Sequence, residues 1–216
     1  VLKTKNKYDS FGLHAYGAYA PVDRVNLIGT LSWMHNSSDI TQSINAAGFN
    51  KADADVKTNL FSLGARAEAN LPVGKANVIP HAGLRYVWAK SGSYDTKVDG
   101  KKVWGNTPDA TNTFQLPIGV AVRGDIMTVS GWNVRPQADL TFIPQFGDTE
   151  QKTKLSNFNG VSDKLSGEFA GKFGTSVNLG VQADKGPTTF GVRYGFTAGT
   201  KGKADHAFKF EYRYRF

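Results

Sequence analysis

Hydrophobic and polar residues alternate without exception over the last nine residues of the chain, 208–216. The even positions are all aromatic and comprise Phe208, Phe210, Tyr212, Tyr214 and Phe216. The odd positions are all charged and comprise Lys209, Glu211, Arg213 and Arg215. Because successive side chains of a strand point to opposite faces, this segment has one aromatic face and one charged face. Such a strand suits either a soluble sheet packed on one side or a membrane β-barrel.

The same alternation recurs along the chain and predicts nine antiparallel strands in all. They cover residues 11–20, 25–35, 61–71, 78–88, 114–125, 134–142, 169–183, 190–197 and 208–216. Residues 1–7 are polar and predict a loose segment. A proline cannot donate to a ladder, so Pro117, within the fifth pattern, predicts a bulge or a strand end.

The connections between these strands alternate between short and long. Polar residues predict long solvated loops at 36–55, 91–112 and 147–166, whereas the intervening turns are short. Outer-membrane barrels have short periplasmic turns and long extracellular loops. The predicted fold is therefore an all-β, transmembrane antiparallel β-barrel of outer-membrane type, one domain over residues 1–216. We expect the C-terminus to be periplasmic and the long loops to be extracellular. We also expect the barrel to contact outer-membrane lipid.

Composition narrows the alternatives further. No apolar run approaches the roughly eighteen residues that a spanning helix needs, which excludes a helical membrane protein. The chain has no cysteine, so it has neither disulfides nor thiolate chemistry. Its net charge is +8, but the basic residues are spread among strands and loops, without the clustered patch that nucleic-acid binding favours. We expect no nucleic-acid partner.

Catalytic and metal motifs are not evident. The four histidines, His14, His35, His81 and His206, have no zinc-site spacing, and Gly-x-Ser-x-Gly is absent. Two of them, His14 and His81, are predicted to face inward, as are Ser62 and Ser176. Polar filling of a barrel lumen explains these residues better than a lipase site does. We expect no catalytic residue, cofactor or metal.

The inward positions of the predicted strands are rich in charge. They comprise Arg66, Glu68, Arg85, Arg123, Asp125, Arg135, Asp139, Lys172, Arg193, Lys209, Glu211, Arg213 and Arg215. Nine of these are positive and four negative, which gives a net of about five positive charges. Two interpretations stay open: ordinary ion pairing between neighbouring strands, or a basic pore wall that holds a segment in transit or selects anions.

Several segments together resemble the autotransporter β-domain, the C-terminal translocator of type V secretion. Residues 9–16 (Asp-Ser-Phe-Gly-Leu-His-Ala-Tyr) resemble its fourth strand, and residues 79–86 (Ile-Pro-His-Ala-Gly-Leu-Arg-Tyr) resemble its Pro-aromatic-Ala-Gly-Leu-Arg-Tyr strand. Residues 142–148 and the final Tyr-Arg-Tyr-Arg-Phe also fit. One departure is His81, where the family often has Tyr or Phe.

The resemblance implies a function without an active site. A passenger N-terminal to the barrel would pass outward through the lumen as a hairpin, and its linker would remain as a helical plug. The barrel-assembly machinery of the outer membrane would recognise the terminal strand, so Phe208, Phe210, Tyr212, Tyr214 and Phe216 become the expected assembly signal. Family members have twelve strands, so we expect three N-terminal strands to be missing from a chain that starts at Val1 without an initiator Met. The alternatives are a porin-like anion channel and a barrel enzyme such as an outer-membrane lipase.

Overall fold

The computed structural model describes residues 3–46, 49–157, 160–168, 171–200 and 204–215. Their strands are β1 Lys3–Val22, β2 Val25–Ala46, β3 Phe49–Ala69, β4 Leu71–Val73, β5 Ala76–Ser91, β6 Tyr94–Val98, β7 Lys101–Pro108, β8 Thr111–Gln115, β9 Ile118–Gly124, β10 Ile126–Met127, β11 Asn133–Gly147, β12 Glu150–Ser156, β13 Ser162–Glu168, β14 Phe173–Lys185, β15 Thr188–Gly199 and β16 Ala204–Tyr214. The described residues contain no helix that is long and apolar enough to cross a membrane.

All these strands belong to one sheet, whose neighbours run antiparallel. Nine long runs follow one another as hairpins: β1, β2, β3, β5, β8 with β9, β11, β14, β15 and β16. This order confirms the predicted all-β fold. Among the described residues, the buried apolar side chains are Ile79 and Pro108, whereas large apolar side chains such as Leu84 and Phe114 lie exposed. The sheet therefore lacks the apolar core that a soluble protein needs.

The prediction at Pro117 is confirmed. Strand β8 ends at Gln115 and β9 begins at Ile118, so the fifth predicted strand is interrupted at the proline. The neighbouring strands still use the backbone there: the Gly83 N–H donates to the Pro117 carbonyl at 2.8 Å, and the Leu116 N–H to the Pro144 carbonyl at 2.9 Å. The register continues unshifted across the break, since Gln115 and Ile118 pair with Arg85 and Ala82 of β5 and with Gln145 and Phe142 of β11.

The prediction of three unstructured long loops was wrong. Residues 36–46 continue β2, residues 49–55 belong to β3, residues 91–112 contain β6 and β7, and residues 147–166 contain β12 and most of β13. Residues 3–7, also predicted to be loose, extend β1 and pair with residues 39–43. Backbone ladders in water tolerate polar side chains on both faces, which is why side-chain polarity alone did not reveal these strands.

The extended hairpins also pair with one another. We call them the canopy, defined as residues 34–46 of β2, residues 49–60 of β3, and strands β6, β7, β12 and β13. Strand β3 pairs with β6, and β7 pairs with β12. Within the canopy, Lys51 and Thr41 hydrogen-bond to the Asp53 carboxylate and hold its pKa below the usual value.

Two predicted strand boundaries, at Phe169 and Phe216, fall outside the described residues. The seventh strand was predicted from Phe169, which lies outside them, and β14 begins at Phe173. The ninth strand begins earlier than predicted, at Ala204, and is described to Tyr214. Phe216 lies outside the described residues.

Candidate functional site

The strand register divides the predicted site residues between two faces of the sheet. Arg66 pairs with Gly83, Asp139 with Ala121, and Arg193 with Lys209, so these positions share one face, here called the inner face. The ladder places ten of the thirteen predicted lumen residues on it: Arg66, Glu68, Arg85, Arg123, Arg135, Asp139, Arg193, Lys209, Glu211 and Arg213. The other three, Asp125, Lys172 and Arg215, lie just beyond strand ends, outside the ladder.

The outer face carries the apolar and aromatic side chains. Trp33 pairs with Phe61, Phe61 with Trp88, and Tyr194 with Phe208. The terminal strand follows the same rule, with its aromatic residues between 47% and 73% exposed: Phe208, Phe210, Tyr212 and Tyr214. Neighbouring rings touch, as in Phe190 and Tyr212, whose centroids are 5.2 Å apart. An apolar face this exposed needs an apolar solvent.

Ion pairs neutralise part of the charge on the inner face. Arg66 lies 3.3 Å from Glu68, and Arg213 lies 2.8 Å from Glu211. Arg135 contacts Asp184, which also accepts hydrogen bonds from Thr189 and Gln182. The pairs Arg66–Glu68 and Arg213–Glu211 each lie along a single strand, whereas Arg135 and Asp184 bridge β11 and β14. The interpretation as ordinary ion pairing thus accounts for some of the set.

Other cations on the inner face have no carboxylate partner. Arg85 donates from Nε to the Ser62 hydroxyl at 3.1 Å, and the Gln137 amide oxygen, turned towards Arg193, accepts from it at 3.1 Å. Within the described part of the chain, Arg123 and Lys209 form no ion pair or side-chain hydrogen bond. The basic excess that the sequence predicts is therefore concentrated in these four residues.

A cavity of about 450 Å³ opens on the inner face between β3 and β15. Arg66, Arg123 and Arg193 contribute three guanidinium groups to its wall, and Glu68 and Asp139 contribute two carboxylates. Both carboxylates are already engaged, Glu68 by Arg66 and Asp139 by His81. The cavity wall is therefore suited to hydrogen-bond acceptors and negative charge.

The most buried member of the inner face is His81, whose side chain is 2% exposed. Its Nε2 lies 2.9 Å from the Asp139 carboxylate, which also accepts a hydrogen bond from Thr141 at 2.7 Å. His81 belongs to β5 and Asp139 to β11, so the imidazole crosses the intervening β9 above Gly119. The sequence predicted His81 and Asp139 on one face but did not predict the hydrogen bond between them.

The remaining histidines do not assemble a catalytic site. His14 Nδ1 lies 2.7 Å from the Ser32 hydroxyl, but among the described residues no carboxylate hydrogen-bonds to His14. His35 contacts Asn59, and His206 contacts the Tyr194 hydroxyl. The predicted inward serines, Ser62 and Ser176, have no histidine partner in the described structure. Nor does that part of the chain bring three potential metal ligands together.

Comparison with known proteins gives two informative results. The family model "Autotransporter beta-domain" matches residues 2–195. Among solved structures, the chain is similar to the β-domain of the Bordetella autotransporter BrkA, with a TM-score of 0.68 and 17% identity over 98% of this chain and 75% of that one. That likeness supports the fold alone. No curated protein matches the chain.

A second solved structure is more distant. The transport unit of the autotransporter AIDA-I from Escherichia coli aligns with a TM-score of 0.34 and 10% identity, over all of this chain and 84% of that one.

Proposed function

Because the chain belongs to the autotransporter β-domain family, it is an outer-membrane translocator domain for passenger export, and we propose that its inner face lines the passage. Membership of the family implies an N-terminal passenger and a place in the bacterial outer membrane. The observation that supports the proposal is the consistent register of the sheet. Outside the canopy, this register keeps the charged residues on one face and the aromatic residues on the other, from β3 to β16.

The polarity of the two faces gives each a separate role. The outer face contacts lipid, where residues such as Leu84 and Phe210 are stable and charged residues are not. The inner face faces water, a passing polypeptide, or the linker that stays behind as a helical plug. Arg85, Arg123, Arg193 and Lys209, which have no carboxylate partner, are free to contact acceptors on that polypeptide.

Loop length sets the orientation in this proposal. The tight turns at residues 23–24, 74–75 and 186–187 lie at one end of the sheet, and the canopy lies at the other. In outer-membrane barrels the short turns are periplasmic and the long loops extracellular. The C-terminus, which follows β16 towards the short-turn end, is then periplasmic, where the barrel-assembly machinery reads the terminal strand.

Catalysis is not part of the proposal. Translocator domains of this family are not enzymes themselves. The His14–Ser32 contact has the length of a nucleophile–base pair, yet it lacks the third group that orients the base in hydrolases. Polar filling of the inner face explains it, and a His14→Ala variant should export the passenger at the normal rate.

Site-specific crosslinking in cells tests the passage. The intact precursor would carry a photoreactive residue at Ala121, on the inner face, or at its neighbour Val120, on the outer face, while the passenger is stalled by an engineered disulfide loop. We expect the passenger to be captured from position 121 and lipid from position 120. Equal capture of the passenger from both positions, or from neither, would refute the assignment of the inner face.

A further inference from the structure

The lysines of the canopy are concentrated on one of its two faces. The strand register places seven of them at outer positions: Lys51, Lys57, Lys97, Lys102, Lys152, Lys154 and Lys164. Three lysines of β1 continue the same face where β1 pairs with the canopy: Lys3, Lys5 and Lys7. Among the described inner positions of the canopy, the one lysine is Lys101, beside the turn at residues 99–100. The arginines of the chain lie outside the canopy.

Solubility alone does not explain a one-sided distribution of lysine. Both faces of the canopy lie beyond the apolar band, and lysines on either face would keep its strands in solution. Lysines also protect an exposed edge strand from pairing with other chains, but that protection does not require them to share a face. The distribution therefore indicates that the outer face of the canopy meets a partner that the inner face does not meet.

The lysines begin where the aromatic side chains of the outer face end. On β3, Lys57 lies four residues beyond Phe61, and on β5, Lys90 lies two residues beyond Trp88. At about 3.3 Å per residue, these steps amount to roughly 13 Å and 7 Å along the strands. Lipid headgroups form the layer next to the hydrocarbon core of a bilayer. The outer lysines therefore start at the level of the headgroups and extend outward from it.

The hairpin of β12 and β13 brings three of these lysines together. Lys154 pairs directly with Lys164, and Lys152 lies on the same face two residues before Lys154. Neighbouring side chains on one face of a sheet lie about 5–7 Å apart. All three residues are exposed to solvent. We call Lys152, Lys154 and Lys164 the lysine cluster.

The lysine cluster lacks the carboxylate partners that other canopy lysines have. Lys51 lies 3.0 Å from Asp53, and Lys102 lies 2.6 Å from Asp95. Within the described part of the chain, no member of the cluster forms an ion pair. Like charges directly opposite each other destabilise a pair of strands. The opposed lysines of the cluster are therefore unfavourable until an anion lies between them.

We propose that the lysine cluster binds phosphate groups of lipid headgroups in the outer leaflet and thereby holds the canopy against the membrane surface. The inference rests on the proposed function, because that function directs the outer face of the sheet to lipid and the canopy out of the cell. Lysine binds phosphate as a compact point charge on a flexible stem, so three lysines at this spacing can converge on one phosphate.

The shape and position of the cluster favour a lipid surface over other anions. A free phosphate ion is held best in an enclosed site, whereas the cluster is exposed on one face of a hairpin. A membrane surface presents many phosphates in one layer, which an exposed row of lysines can contact together. The passenger is on the opposite side of the sheet, where the inner face lines the passage.

Lipid binding by the refolded, intact precursor in a neutral detergent tests the partner. The probe is bisphosphorylated lipid A, compared with the same lipid after removal of both phosphates, and native mass spectrometry counts the bound copies at increasing lipid concentration. A lysine near an anionic membrane contributes about fivefold in affinity, so Lys152→Gln with Lys154→Gln and Lys164→Gln should weaken lipid A binding roughly a hundredfold. Equal binding of lipid A by the wild type and this variant would overturn the proposal, as would equal binding of the two lipids by the wild type.

Two control variants separate the position of the charge from net charge. Arg24→Gln with Lys75→Gln and Lys185→Gln removes the same number of charges at the short-turn end and should leave lipid A binding unchanged. Lys→Arg at all three cluster positions keeps the charge and should bind lipid A within a few-fold of the wild type. A hundredfold loss in either control would contradict a phosphate site at the cluster. Heat-modifiable gel mobility would confirm that each barrel has assembled.

Two measurements on the wild-type precursor do not depend on the folding of any variant. Salt screens exposed charges, so raising the salt concentration should weaken the binding of lipid A, and binding that salt does not change would overturn the proposal. Inorganic phosphate at the concentration of the lipid should not displace lipid A. Efficient displacement would show that the cluster binds free phosphate and does not recognise a lipid surface.

The two proposals fail in different ways. Failure of the wild-type precursor to expose its passenger on intact cells, although the barrel has assembled, would contradict the proposed function. Normal passenger exposure, combined with lipid A binding that is independent of the lysine cluster, would overturn only the inference about the canopy.

Discussion

The inner face has no room for an additional carbon atom at Gly119, where the His81 side chain crosses β9. A Cβ added at Gly119 would lie 2.4 Å from the Leu140 carbonyl oxygen and 2.7 Å from His81 Cε1. Both distances are well below van der Waals contact, and the carbonyl belongs to a ladder that cannot move freely. Gly119→Ala should therefore cost about 1–3 kcal/mol in the unfolding free energy of the refolded, intact precursor, as overpacking does elsewhere.

A second inner-face glycine supplies the control. At Gly191 the same added atom would meet nothing nearer than Glu211 Cβ at 3.5 Å, an ordinary contact. Gly191→Ala should leave urea unfolding nearly unchanged. An equal loss of unfolding free energy in the two variants would contradict this prediction. It would show that the inner face needs glycine for its backbone conformation and that the space beside His81 does not matter.

Adjacent residues of β5 should respond in opposite ways to charge. Leu84 lies midway along the outer face and is 61% exposed, so Leu84→Arg should cost roughly 2–4 kcal/mol if it lies near the bilayer midplane. Arg85→Glu, one residue later on the inner face, should change passenger export far more than stability, because its main contact is with Ser62. Measuring both unfolding in detergent and export in cells separates the two effects. If both variants lost stability equally, the assignment of faces would be wrong.

At the scale of elements, the alternation of apolar and polar residues predicted the barrel strands but did not predict the canopy strands. Within the barrel, each face has one solvent, so the contrast between Leu84 and Arg85 is large. In the canopy, residues such as Asn36, Ser37 and Ser38 are polar next to equally polar neighbours, and the period of two is weak. What holds the canopy strands is backbone pairing between loops far apart in sequence, such as β7 with β12. A one-dimensional pattern does not reveal such pairing.

The inner-face contacts were predictable only in part. The alternation of the predicted strands placed His81 and Asp139 on one face, but the hydrogen bond between them depends on the register between β5, β9 and β11. The break at Pro117 leaves that register unchanged, because β8 and β9 pair with β5 and β11 in the same register. The proline predicts the break but carries no information about which residues pair across the strands.

The terminal strand carries a prediction about assembly. Its outer positions from His206 to Tyr214 are all aromatic. Leu or Val would also be stable in lipid, so stability alone does not explain why aromatic residues occupy these positions. Strand pairing at an open edge is a general mode of recognition, and β16 pairs on one side only among the described residues. Deleting Phe216, or Phe216→Ser, should slow insertion in cells much more than it lowers the heat resistance of the refolded, intact precursor. Normal insertion combined with a large loss of heat resistance would make Phe216 a packing residue.

At the scale of the whole molecule, the part of the described sheet outside the canopy has two long unpaired edges, β1 and β16. In the described structure β1 pairs with β2 alone and β16 with β15 alone. Every residue of β1 is exposed, on both faces, whereas the central strands are half-buried. Lipid does not tolerate free backbone donors and acceptors, which is why spanning sheets close. The chain also aligns with only 75% of the BrkA β-domain.

These edges predict that residues 1–216 alone do not form a stable barrel. We propose that strands from the precursor N-terminal to this segment pair with β1 on one side and β16 on the other, as in a closed barrel of about twelve strands. The intact β-domain should then migrate as a compact, heat-modifiable band after refolding in detergent, and residues 1–216 should not. Cysteines placed at Leu13 of β1 and Phe210 of β16 provide the decisive control, since in the proposed barrel the missing strands separate them. Efficient disulfide formation between these two positions in a compact 1–216 barrel would show that the edges close directly and that no strand is missing.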